Sequence, residues 1–117
     1  MKALYIGILL LISVSVSAQE AIQGLWQTGR ENTKIEISQN NGEWIGKIKS
    51  SDNEKVTIGK VILKDLKKQN EKWIGKLFVV KKQKWYDVEI TPNKTKLDLT
   101  VSAGFFENKV QWSKVNK

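Results

Sequence analysis

The chain of 117 residues contains no histidine and no cysteine. Their absence removes His-based catalytic triads, thiol catalysis and the common zinc ligand sets. It also removes a lipid-modified N-terminal cysteine and any disulfide, so a hydrophobic core has to hold the fold alone. A glycine-rich phosphate loop is missing too, because Gly24, Gly29 and Gly42 are scattered over strand and turn positions. Asp52, Asn53 and Glu54 are adjacent and lack the spacing of a calcium loop. The remaining carboxylates fall on turns or on outward strand positions, leaving no pair for acid–base hydrolysis. No catalytic residue, metal or cofactor is therefore expected, and the chain is read as a non-enzyme.

Long apolar runs are also scarce. The stretch Ala3–Ile12 is too short to span a membrane comfortably. With Lys2 before it and the small residues of Val16-Ser17-Ala18 after it, it has the form of a secretory signal spanning residues 1–18. Cleavage after Ala18 leaves one domain, residues 19–117, exported to the periplasm or beyond and lacking a stable membrane span. The formal charge is +8, and only Lys2 among the charged residues lies in the signal. A basic exported chain suits an anionic envelope component better than a nucleic acid. A monomer is expected.

What the mature chain does have is alternation of period two, broken by turn signals at short intervals. Eight strands are predicted: "GLWQTGR", "TKIEISQ", "EWIGKIK", "TIGKVILK", "KWIGKLFVV", "KWYDVEIT", "KLDLTVS" and "KVQWSKV". Asn41-Gly42 marks a tight hairpin, and Pro92-Asn93 reads as a turn. "DLKKQNE" and "AGFFEN" read as connections. No helical stretch follows the signal. The pattern predicts an all-β antiparallel up-and-down sheet, closed into an eight-stranded barrel that removes its edges, with a two-sheet β-sandwich as the alternative.

Phasing each strand by its apolar set predicts an inner face of Trp26, Ile35, Ile37, Trp44, Ile48, Val61, Leu63, Trp73, Leu77, Val79, Tyr86, Val88, Ile90, Leu97, Leu99, Val101, Val110 and Trp112. The tetrapeptide W-I-G-K occurs twice, at Trp44–Lys47 and Trp73–Lys76. In both, tryptophan and glycine face inward, and the glycine allows a bend or a close approach. Trp26, Trp44, Trp73, Tyr86 and Trp112 are the candidate ligand-binding residues. They either fill the lumen or line an aromatic pocket at one mouth, where indole N–H and phenol O–H groups would supply polar contacts. Phe105 and Phe106 are expected to plug one end of the barrel, with a lid or an external contact as alternatives. Lys47, Lys49, Lys60, Lys64 and Lys76 form a basic outer wall on this phasing.

Gly24-Leu25-Trp26 resembles the G-x-W element of lipocalin-like (calycin-type) barrels. That resemblance implies a basic residue of the last strand stacked over Trp26, a part that falls to Lys114. A fuller series runs through Gly46-Lys47-Ile48, Gly59 with Ile62-Leu63, Trp73 with Gly75, and Trp112 with Lys114-Val115. It is similar to the bacterial domain-of-unknown-function family numbered 2147, whose members look like small exported proteins. The family's D-P-x-x-G-K-x-Y segment survives here only as Lys84 and Tyr86, and "VSAGFF" stands where its R-G would be. The resemblance implies fold and export. The functional expectation is binding of a hydrophobic or amphipathic small molecule or an envelope component; the alternative is an interaction protein that uses the basic outer face around a side-chain-filled barrel.

Overall fold

The structure is a computed structural model that describes residues 20–115; the signal assigned to residues 1–18 lies outside them. The strands are β1 (Gly24–Gln27), β2 (Lys34–Asn40), β3 (Glu43–Ser50), β4 (Val61–Gln69), β5 (Lys72–Val79), β6 (Lys84–Asn93), β7 (Lys96–Ala103) and β8 (Phe106–Lys114). Each pairs antiparallel with the next, and β8 returns to β1, closing a barrel in simple chain order. The barrel is the expected one, and the sandwich alternative falls away. Tight turns explain the meander. At β2–β3 the turn residues Asn41 and Gly42 both have positive φ, 55° and 84°, matching the right-handed twist of the flanking strands.

Four element boundaries differ from the sequence reading: β1 stops at Gln27, short of the "TGR" that had been read into it, and three others shift as follows. β4 starts at Val61 and runs on through "DLKKQ", which had read as a connection. β8 begins at Phe106, inside "AGFFEN". Pro92 and Asn93 belong to β6, paired with Leu97 and Lys96, and the turn falls one step later, where Lys94 has φ 59°.

β4 departs most from simple alternation, and the two W-I-G-K segments explain how. Gly46 of β3 pairs with Leu63 while the next residue, Lys47, pairs with Val61, so Ile62 is an extra residue. On the other side, Lys64 pairs with Lys76 and Lys67 with Ile74, so Asp65 and Leu66 together oppose Gly75 of β5. Two bulges therefore lie within a few residues. The first buries both Ile62 and Leu63; the second turns Asp65 outward and Leu66 inward. A Cβ on Gly46 would lie 2.8 Å from Cδ1 of Leu63, and one on Gly75 would lie 2.6 Å from Cδ2 of Leu66. The repeated glycines flank β4 on either side and give room to its bulged leucines.

The core contains most of the predicted inner face, with Trp26, Ile37, Leu63, Ile90 and Leu97 at 0% exposure. Phasing missed Ile22, Ile62 and Leu66: the first precedes the alternating region, and the others follow the bulges. Trp44, Val79 and Tyr86 are only partly buried against the core, and Val61 is half-buried. Val110 has the predicted phase, opposite Leu99, yet is 37% exposed.

Candidate functional site

The barrel has two unlike ends. The N-terminal segment and the β2–β3, β4–β5 and β6–β7 turns make one, here the closed end; the remaining hairpins make the other, the open end. At the closed end, Ile22 is fully buried and its carbonyl accepts the indole N–H of Trp26 at 2.9 Å. Glu20 reaches Lys68 at 3.1 Å, tying this segment to β4. Lys114 Nζ lies 4.9 Å from the Trp26 ring centroid and donates to the Gln23 carbonyl at 2.9 Å. The ammonium thus has a π face and a carbonyl to replace water. Gly24 is part of this arrangement, since a Cβ there would lie 2.6 Å from Lys114 Nζ.

Trp44, Trp73 and Trp112 stand near the same end, and Trp85 lies at the start of β6, at the other. Trp44 and Trp73, each the second residue of its strand, meet edge to face with centroids 5.7 Å apart at 69°. Trp73 and Trp112 are buried, at 3% and 5% exposure. Of the five predicted ligand contacts, the structure therefore packs Trp26, Trp73 and Trp112 into the core and sets Trp44 against Trp73. Tyr86 stands apart, near the start of β6 opposite Leu77.

The open end lacks comparable cover. Among the described residues β1 meets β8 in two ladder pairs, Trp26–Lys114 and Gln27–Ser113, and just past β8 the Val115 N–H donates to the Leu25 carbonyl at 2.9 Å. The stretch Phe106–Gln111 has β7 on one side and, among the described residues, no strand on the other. All six of its residues are exposed. Phe106, Asn108 and Val110 pair with Ala103, Val101 and Leu99, so they line the inner face, yet Phe106 is 76% exposed. Tyr86, Val79 and Val101 continue this wall across β5–β7. Phe105, at the tip of the β7–β8 turn, is fully exposed. The two phenylalanines do not plug the barrel: Gly104, with φ 68°, turns the chain so that Phe105 points into solvent, and among the described residues no strand lies beside Phe106 on the edge away from β7. Sequence reasoning missed Phe106 and Asn108 because it began the last strand at Lys109; their phase with Val110 and Trp112 was the available signal.

The outer wall is less uniformly basic than expected. Lys76 pairs with Asp87 and Lys49 lies 3.8 Å from Glu36. Lys72 meets Glu89 at 2.8 Å. Lys72 donates a hydrogen bond to Glu89 and Lys76 one to Asp87, and these bonds, with the charge of the two carboxylates, raise both ammonium groups above the usual value. Lys60 and Lys64 lie over the rings of Phe78 and Trp85, at 4.5 Å and 4.2 Å, and the two rings pack edge to face. An outer groove of about 470 Å³ at the β4–β5 hairpin is lined by Gln69, Asn70, Glu71, Lys72, Ile74 and Glu89.

A family profile matches residues 24–114, described as an uncharacterized protein conserved in bacteria (DUF2147). The chain belongs to the DUF2147 family. The matched segment begins at Gly24 and ends at Lys114, the two residues in contact above Trp26. For DUF2147 the early G-x-W and the late lysine are thus one structural unit in this chain. No curated protein and no solved structure matches the chain.

Proposed function

We propose that this DUF2147 protein is an exported, non-enzymatic binding protein that takes an amphipathic ligand at the open end of its barrel. One observation carries the reading: the inner face of β8 at Phe106 and Val110 is uncovered, whereas the inner face toward the closed end is buried. An acyl or similarly apolar group laid along this wall would cover it against Tyr86, Val79 and Val101. Lys81, Lys82 and Lys84 belong to the β5–β6 hairpin at the same end and favour an anionic head group. The tryptophans support the wall from below and are not the contact surface.

The test is displacement of a fluorescent fatty acid by fatty acids, lysophospholipids and aromatic amphiphiles. Val110→Asp combined with Phe106→Ser should weaken binding about tenfold or more, the effect of placing a charge in an apolar contact. Trp44→Ala should leave it nearly unchanged. No binding by any ligand class, or loss with Trp44→Ala alone, would reject the open-end site. A second reading, contact with an anionic envelope component through the outer wall, is supported by the Lys60–Phe78 and Lys64–Trp85 stacks. Retained vesicle binding after Lys60→Gln and Lys64→Gln would count against it.

A further inference from the structure

We propose that the free edge of β8 is a self-complementary interface through which two copies of the chain pair, strand against strand. Strand edges carry backbone donors and acceptors able to template another strand, and a closed barrel normally has none to offer. Here closure stops at Ser113, and Phe106–Gln111 keeps an unpaired side among the described residues. About half of its backbone N–H and C=O groups point away from β7.

The occupant follows from the sequence of the edge. In an antiparallel pair of two β8 strands with its two-fold axis at Asn108, Glu107 of each copy stands opposite Lys109 of the other. Phe106 stands opposite Val110, and Asn108 meets its own copy. The charged pairs lie on the outer face and the apolar pairs on the inner face, as the phases of β8 require. From Phe106 to Val110 every side chain in this register meets one of matching chemistry, and the two exposed apolar residues of the strand become cross-strand neighbours. A ribbon of this length makes a small contact, so the association is weak and concentration-dependent. The monomer expected from sequence and this dimer are decided by the same experiment, and neither requires the open-end ligand.

Sedimentation velocity of the purified protein across micromolar to millimolar concentration should show a monomer–dimer equilibrium. Glu107→Lys alone and Lys109→Glu alone each place like charges across the axis and should weaken the dimer about tenfold. The double variant E107K/K109E should restore it. The chain has no cysteine, so Asn108→Cys introduces a lone thiol at the axis. Directly opposed strand residues lie within disulfide reach, and mild oxidation should give a covalent dimer that Lys94→Cys, at the closed end, does not. A monomer at every concentration overturns the proposal. So does a dimer that ignores the charge reversals and fails to cross-link through residue 108. Unchanged circular dichroism of each variant separates these outcomes from misfolding.

Discussion

At Gly75 a methyl group would lie 2.6 Å from Cδ2 of Leu66 and 2.8 Å from the carbonyl oxygen of Lys64. The first neighbour is a side-chain tip, but the second is backbone in a bulge and has little room to yield. Gly75→Ala should therefore destabilise the barrel by about 1–3 kcal/mol, the usual cost of overpacking. Gly46→Ala, which meets Leu63 Cβ at 2.9 Å, should cost a comparable amount. Urea unfolding of both variants checks this, and an unchanged midpoint for Gly75→Ala would contradict the assigned contact. Lys114 is a second residue whose part is defined by its neighbours. Lys114→Met keeps the length of the side chain but loses the charge over Trp26 and the bond to the Gln23 carbonyl. The π contact alone is worth roughly 0.5–2 kcal/mol, so the variant should unfold at measurably lower urea. Lys114 over Trp26 was legible only through the resemblance of Gly24-Leu25-Trp26 to the G-x-W element of lipocalin-like barrels, which implies a basic residue of the last strand over that ring. Exposure of Phe105 was not, since it depends on the turn geometry at Gly104 and on how far β1 extends.

On the scale of the element, β4 shows where periodicity stops being sufficient. Alternation from Leu63 would put Asp65 in the core, but the bulge turns it outward with φ 55°, a left-handed backbone conformation that favours glycine. Asp65→Gly should be neutral or slightly stabilising, whereas Asp65→Val should cost about 1–2 kcal/mol from the β-branched side chain in that conformation. Thermal unfolding compares the two, and equal effects would argue against a backbone origin. The other strand faces were readable because their buried positions keep period two, the extra residue of β3 at Lys49 falling past Ile48; Leu66 was not, because an inserted residue leaves no mark in a hydrophobic pattern. The β5–β6 ladder carries a pH signature. Its carboxylates raise Lys72 and Lys76 above the usual 10.5, so the contribution of these pairs is fully present below that value and is lost as pH rises through the raised ones. The pairs are exposed and the effect is small. The difference in unfolding midpoint between the parent and a Lys72→Gln/Lys76→Gln variant should therefore shrink as the solution becomes strongly alkaline. A difference that grows there would reverse the sign.

For the whole molecule, strand count and meander order came from turn spacing, and they decided the barrel. The candidate site did not come with them. The sequence marked its tryptophans, which pack the closed end, while the uncovered wall at Phe106 and Val110 depends on the unequal lengths of β1 and β8. Amides of Phe106–Gln111 that point away from β7 should exchange with solvent far faster than those of the β5–β6 ladder, measurable by hydrogen exchange. Equal protection in the dilute monomer would mean the edge is covered. The same inequality has a mechanical consequence. Every other pair of neighbouring strands is joined by a turn or loop, but Trp26 and Lys114 close a loop that contains nearly all of the fold, and among the described residues only the Gln27–Ser113 pair and the bond from Val115 N–H to the Leu25 carbonyl extend that backbone seam. Loop-closure entropy weighs against such a contact more than against any hairpin. The outer ends of β1 and β8 emerge side by side at the same end, so tension applied to them loads the seam one pair at a time. The barrel should peel open there like a zip, at low force, while its seven hairpins still hold as a sheet.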